Sequence, residues 1–482
     1  MDPNEARTPV SLQISYGDMR TASATHTDSW WWNDLAEVDL GPIRPALPGD
    51  RDFDVAIVGA GFTGLWTAYY LLARDPSLRV ALLEQWVAGA GASGRNGGWC
   101  SSILPVDWDV SAHRYGREQT LAWQRAADET VGEVRRIADL EGIDADISNG
   151  GYLRTASNAA QLAVLDEDLR HARQWGRSED DVRRLSSQDA RDVIDSPRIL
   201  GALHTSHCAA VQPAKLVRGL ARAVERRGAT IYENTRALSV HPGGVSTELG
   251  SVRADVVIRA TEGYTAALPG SHRALLPMCS VMIATEPLPQ AFWDEVGWRH
   301  RETFNDARRF LFYAQRTRDG RIALGGRGAP YRYASRIDNT IPGLRAVEAR
   351  LLTVLGEQFP SLREVRVEHR WGGVLGVPRD WFPSVGFDRR TGMGSAGGYS
   401  GDGVALTNLA GRTLADLVTG HGSELTRMPW VHHRSRAWEP EPLRWIGAAL
   451  GAWLASAADA VEERSPKASA VYGPLFSRLT GH

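Results

Sequence analysis

The chain has 482 residues, too many for one simple core and enough for roughly two to four domains. Apolar residues make up 43 % and charged residues 23 %, the balance expected of a soluble globular protein. A formal net charge of −2 argues against a nucleic-acid or anionic-membrane surface, and three scattered cysteines (Cys100, Cys208 and Cys279) argue against a disulfide scaffold.

The opening MDPNEARTPV lacks the charged-then-apolar order of a leader, and no run approaches the roughly 18 apolar residues of a membrane span. A cytoplasmic protein is therefore expected. Lysine occurs only as Lys215 and Lys467, so chemistry through a lysine has two possible sites. Residues 1–47 read as an N-terminal arm. Its Ser29-Trp30-Trp31-Trp32 cluster is expected to pack on the body, since adjacent exposed aromatics invite aggregation.

From Phe53 to Glu84 the pattern predicts a βαβ unit. DVAIVGA is a buried strand, Leu65 to Ala73 a helix stopped near Pro76, and RVALLE a second strand. Between them Gly59, Gly61 and Gly64 stand in a G-x-G-x-x-G frame. Gly59 permits a tight turn, Gly61 lets backbone approach a pyrophosphate, and Gly64 lets helix press on strand. The phosphates would rest on the helix N-terminus. Glu84 lies some 20 residues on, placed to accept ribose hydroxyls and repel a 2′-phosphate. By itself this unit does not separate FAD from NAD.

Directly afterwards comes QWVAGAGASGRNGGW, Gln85 to Trp99, dense in glycine between Gly89 and Gly98. A plain nicotinamide fold continues here into another βα unit. So much glycine implies backbone wrapped closely on a flat or phosphorylated group.

Helices are predicted over Arg117–Leu140, Asn158–Trp175 and the amphipathic Leu216–Gly228, the last closed by its glycine. ATIYENTRALSV and VRADVVIRATEGYT read as strands around a hairpin at HPGG. The stretch from Leu276 to Arg370 reads as β-rich with one helix near Val347–Phe359. GVALTNLAGRTLADLVTG and EPLRWIGAALGAWLASAADAVEE are helices. The last carries apolar Leu443, Trp445, Ile446, Leu450, Trp453 and Leu454 but acidic residues beyond, which favours docking on the body or another subunit over a membrane surface.

GAGFTGLWTAYYL, LLEQ and GAGASGRNGGW together resemble the D-amino-acid oxidase-type (DAO) FAD oxidoreductases, the group holding glycine oxidase and sarcosine oxidase. The nearest branch is the gamma-glutamylputrescine oxidase-like and aminophosphonate oxidoreductase-like one. VIRATEGYT, HRWGGVLGVPRDWFPSVG and GGYSGDGVALTNLAGR are similar to later motifs of that family. The resemblance implies a resident FAD and a mixed α/β fold: a Rossmann-like domain over about 48–108, 200–270 and 370–440, with a mainly antiparallel substrate domain inserted over 109–199 and 271–369. Residues 441–482 form a C-terminal helical extension.

It also implies roles. Gly59, Gly61, Phe62, Thr63 and Gly64 hold pyrophosphate, and Glu84 and Gln85 the adenosine ribose side. Ser93, Gly94, Arg95, Asn96, Gly97 and Gly98 run beside the ribityl chain and isoalloxazine. The Ala237 backbone meets adenine, Ala260 and Thr261 close over the cofactor, and Gly401, Asp402, Gly403 and Val404 sit at a helix N-terminus facing the flavin. Covalent relatives attach flavin through a loop histidine or late cysteine. Asn96 and the cysteine-free LGVPRDWFPS imply non-covalent FAD here. Ala323 falls where sarcosine oxidases carry an oxygen-activating lysine, which leaves oxidase and dehydrogenase both open.

The implied reaction is oxidation of the C–N bond of an amine or amino acid-like substrate to an imine, with O2 or another acceptor taking the electrons. Candidates around the substrate are Arg308, Tyr313, Arg327, Trp371, Tyr399 and Asp402. An arginine could clamp a carboxylate or phosphonate, and Trp371 and Tyr399 could be ring walls. Asp402 has two readings, a helix cap or a carboxylate that recruits a cationic amine, and capping is preferred. The alternatives are an NADPH-dependent flavin hydroxylase, which lacks its late motif here, and a non-catalytic flavin-binding protein. A homodimer is possible; no nucleic-acid or membrane partner is expected.

Overall fold

The computed structural model describes residues 29–462, apart from 42–43, 309–310, 327–330, 338–340 and 342. The first strand, Arg51–Val58, is apolar throughout its second half because it is covered on both faces. It pairs in parallel with Val80–Leu83 on one side and with Gly250–Arg259 on the other. The sheet runs Ser384–Asp388, Met393–Gly397, Gly250–Arg259, Arg51–Val58, Val80–Leu83, Thr230–Tyr232, with the Ala237–His241 and Gly244–Thr247 hairpin appended. The helix Phe62–Arg74 starts at Gly61 and packs on the helix Gly403–Thr419. Gly411 makes that contact possible, since a Cβ there would stand 2.7 Å from the Trp66 backbone.

A second eight-stranded sheet has the order Val367–Val377, Leu276–Thr285, Ile322–Gly326, Phe312–Arg316, Thr303–Asp306, Tyr152–Ala156, Gly201–Thr205, Arg183–Leu185. It is antiparallel except where Thr303–Asp306 lies parallel to Tyr152–Ala156. Its core gathers Trp298, Phe304, Phe312, Phe359 and Leu351 beneath the helix Leu344–Gln358. A short pair, Trp99–Ser101 with Cys208–Ala210, completes the strands of the described residues. Among the described residues no helix is long and apolar enough to cross a membrane.

Three segments sit elsewhere than the expected boundaries put them. The helix Arg117–Leu140 was assigned to the inserted unit, yet Trp123, Ala127, Val134 and Ile137 lie in the core with Leu65, Trp66 and Leu409. Its apolar stripe is complementary to the outer face of the two cofactor-side helices. The strand Gly201–Thr205 and the part of Val367–Val377 from Arg370 onward are expected in the Rossmann-like unit but hydrogen-bond within the second sheet. Residues 1–28 of the expected arm lie outside the described residues, and in the described part Trp31 and Trp32 are buried with Met282, Ala284, Ala323 and Trp371.

Candidate active site

One cavity of about 610 Å³ runs between the two sheets. At one end it is lined by Glu84, Gln85, Arg236 and Ala237, and at the other by Tyr152, Arg154, Asn305, Asp306, Arg308 and Tyr313. Gly59, Gly61, Phe62, Thr63, Ser93, Arg95, Asn96, Gly97, Ala260, Thr261, Gly401, Asp402, Gly403 and Val404 line the stretch between.

The remaining glycines of the two loops shape the backbone without lining the cavity. Gly64 presses on the strand, where a Cβ would come within 2.0 Å of the Gly59 carbonyl. Gly94 faces Trp32, and Gly98 packs against Gln315. Gly59 has φ +103 and any Cβ would stand 2.6 Å from the Ala260 carbonyl, so a side chain is excluded twice over.

Glu84 is buried at the end of its strand and accepts from the N–H groups of Ala60 (2.9 Å) and Trp86 (3.1 Å). Burial, with the nearby charge of Glu233, pushes its carboxyl up to about 7. The Ser93 hydroxyl accepts from the N–H of Phe62 at 2.8 Å, which joins the second glycine loop to the start of the first helix. Asn96 folds back on its own loop: its amide donates to the Ser93 carbonyl (2.8 Å) and its oxygen accepts from the Gly98 N–H (2.7 Å). Asn96 thus acts as a loop brace.

The candidate substrate residues fare unequally. Tyr399 is buried, meets the Thr63 hydroxyl at 3.2 Å, and burial holds its phenol far above the usual range. Tyr313 lies against Gly97 and its hydroxyl is 2.5 Å from that of Ser280. Trp371 is not a substrate wall. It is fully buried against Trp31 and donates its indole N–H to the Arg95 carbonyl at 2.9 Å. Its register places it on the same sheet face as Met282 and Tyr313, but there Trp31 and the Arg95 carbonyl cover it.

Arg308 lines the cavity, but the fork that could clamp a carboxylate is given to its own neighbour. Nε and Nη2 donate to Asp306 at 2.8 Å each, and Nη2 reaches Glu357 at 3.2 Å. Asp306 is buried and requires that partner. Arg327 lies outside the described residues. Asp402 precedes the helix Gly403–Thr419 with φ −98 and ψ 41, and its side chain makes no capping hydrogen bond. The preferred capping reading is therefore replaced: the residue lines the cavity instead.

Sequence reasoning missed Glu262, Tyr264, Tyr152, Arg154, Asn305 and Asp306 as lining residues. Glu262 has φ +42 and accepts from the N–H groups of Gly376 (3.1 Å) and Gly398 (2.9 Å), and burial pushes it up to about 7. Tyr152 and Arg154 alternate on one strand facing the cavity, a period-two signal visible in GGYLRTA.

Residues 54–417 match the family model described as FAD dependent oxidoreductase, DAO. The chain belongs to that family. A probable oxidoreductase OrdL of Rhizobium meliloti (strain 1021) is 30 % identical over 82 % of this chain and 89 % of its own length. The gamma-glutamylputrescine oxidoreductase of Escherichia coli (strain K12) is 30 % identical over 76 % of this chain and 84 % of that one. In structure, glycine oxidase from Geobacillus kaustophilus superposes with a TM-score of 0.67 at 20 % identity, covering 80 % of this chain and all of that one. The DAO-family membership makes the protein an FAD-dependent oxidoreductase, and the residues fit the group: two glycine-bearing loops, with Gly59, Gly61, Gly91 and Gly97 on the cavity, line it between the buried carboxylate of Glu84 and a mixed-charge end.

Proposed function

We propose that this DAO-family enzyme oxidises the C–N bond of a primary or secondary amine or amino acid-like compound to an imine, which water hydrolyses to a carbonyl compound and an amine or ammonia. The single observation that carries the reading is the continuity of the cavity from Glu84 past both glycine loops to Tyr313 and Asn305. FAD, when bound, supplies the two-electron acceptor. Glu84 and Gln85 would hold its ribose, the Gly59–Gly64 turn and the helix beginning at Phe62 its phosphates, and the Ser93–Gly98 loop its ring side.

The chain's own residues orient and desolvate. Tyr313 and Tyr399 both line the cavity, and the Ser280 hydroxyl fixes that of Tyr313. Asp402 offers a carboxylate toward a cationic amine, while on the far wall Arg154 is ion-paired with Asp168 and Arg308 with Asp306 and Glu357. No proton-transfer triad is needed for hydride removal from a neutral amine.

Non-covalent attachment is supported by the absence of cysteine and histidine from the cavity lining among the described residues. Lys215 is paired with Asp146 at 3.1 Å, away from the cavity, and Ala323 is buried, which supports slow use of O2 or a different acceptor. Leu443, Trp445, Ile446, Leu450 and Trp453 are exposed on the last helix, which supports a homodimer built on that face.

The test is anaerobic addition of amines, amino acids and aminophosphonates to the yellow holoprotein. At least one is expected to bleach the oxidised flavin spectrum. Bleaching by NADPH alone, or by none of the amines, would overturn the reading.

A further inference from the structure

The carbonyls of the second glycine loop are claimed one after another by donors from elsewhere in the chain. The Ser29 hydroxyl donates to Gly94 O at 3.0 Å and the Trp371 indole to Arg95 O at 2.9 Å. The Trp31 indole donates to Asn96 O at 2.8 Å, and the Gln315 amide to Gly97 O at 2.8 Å. The Val211 N–H takes Gly98 O at 2.8 Å. Five consecutive carbonyls are thus drawn by the arm, by two strands of the second sheet and by the segment after Cys208–Ala210.

In a trans peptide the N–H points opposite to the C=O of the preceding residue. With Arg95 O and Asn96 O held by Trp371 and Trp31, the N–H groups of Asn96 and Gly97 point the other way. Arg95, Asn96 and Gly97 line the cavity, whereas Trp31 and Trp371 do not. The two amides therefore face the cavity side. Both indoles are locked: Trp31 and Trp371 are buried, meet edge to face at 6.0 Å, and the Trp31 carbonyl accepts from Gln212 at 2.7 Å.

We propose that Trp31 and Trp371 are positioning residues that hold the Asn96 and Gly97 N–H groups toward the cavity as a fixed pair of donors, and so favour the electron-rich reduced cofactor over the oxidised one. The inference rests on the reading of this loop as the ring side of the FAD site. Fixed N–H donors stabilise added negative charge without reorganising. The arm tryptophans are then part of the redox machinery at one remove, since they touch the loop and not the cavity.

The experiment is Trp31→Phe, with Trp371→Phe as a second variant, in the purified holoprotein. Phenylalanine keeps aromatic bulk and deletes the indole donor. The potential of bound FAD is read by dye equilibration, FAD affinity by titration of apoprotein, and apoprotein stability by thermal unfolding. We expect reduced FAD to lose about fivefold in affinity relative to oxidised FAD, roughly one hydrogen bond's worth, so the potential moves negative. Apoprotein stability should fall for both variants, since each removes a buried indole and its hydrogen bond, so the shift in potential is the readout that a purely structural role would not move.

An unchanged potential with FAD retained would overturn the inference and leave the proposed function standing. Equal losses of stability in apo and holo forms without a shift in potential would assign Trp31 a purely structural role, which also overturns it. A wild-type protein that never takes up FAD would instead sink the site reading itself.

Discussion

The hydroxyls of Thr63 and Tyr399 meet at 3.2 Å and tie the first turn of the helix Phe62–Arg74 to the residues just before the helix Gly403–Thr419. Two helix N-termini are thereby held on one cavity, although 336 residues separate them in sequence. Both side chains are buried at the cavity wall, where each hydroxyl has the other as its protein partner. Tyr399→Phe and Thr63→Val should each cost about 1 kcal/mol of stability, and the double variant should cost little more than either alone. Denaturant unfolding of the four proteins measures the coupling, and strict additivity would contradict it.

Glu84 and Glu262 make the apoprotein's stability depend on pH in an unusual direction. Burial raises both carboxyls from about 4.5 to about 7 in the folded state. The folded chain therefore holds more protons than the unfolded chain between these values, and stability falls as pH rises through that window. Each group contributes at most ~3 kcal/mol of this loss. Glu84→Gln and Glu262→Gln should each flatten part of the slope in unfolding measurements between pH 4.5 and 7. If ribose hydroxyls donate to Glu84, FAD binding expels its proton, and affinity for FAD should tighten as pH rises toward 7.

Glycine positions separate by what a methyl group would meet. At Gly64 the Cβ would lie 2.0 Å from the Gly59 carbonyl, backbone against backbone, and neither can yield. At Gly91, with ordinary φ, the nearest atom is the Tyr264 ring at 3.5 Å, normal contact. Gly64→Ala should lower the melting temperature severely or abolish soluble expression. Gly91→Ala should fold normally, and its effect should be confined to FAD affinity, since Gly91 lines the cavity. Equal melting temperatures for the two variants would contradict the steric account.

The parts legible in the sequence are those governed by local rules. The Gly59–Gly64 spacing, the helix Arg117–Leu140 and the Gly228 stop of the preceding helix were all readable, because period and backbone conformation need no distant partner. Which side of Arg117–Leu140 met which sheet was not readable. Arg308 shows the same limit at the site: its charge suggests a substrate clamp, and only the fold brings Asp306 and Glu357 to its guanidinium. Trp371 likewise looks like a ring wall until Trp31 and the Arg95 carbonyl are seen to cover it. Glu262 was hidden by a backbone turn at positive φ, a conformation that a glutamate rarely adopts.

Asp402 offers the sharpest test of substrate charge. It lines the cavity beside Gly401 and Gly403, and leaves the helix it precedes without a side-chain cap. A carboxylate there favours a protonated amine approaching the site and disfavours an anionic one. Asp402→Asn keeps the shape and removes the charge. KM for cationic amines should then rise about fivefold or more, and an uncharged competitive inhibitor should bind as before. Because no capping bond is lost, the melting temperature should stay within a degree or two of wild type. Salt should weaken cation binding in the wild type and have little effect in the variant, since a charge open to solvent is screened within about 10 Å at 0.1 M. An unchanged KM with unchanged salt dependence would remove Asp402 from substrate recruitment.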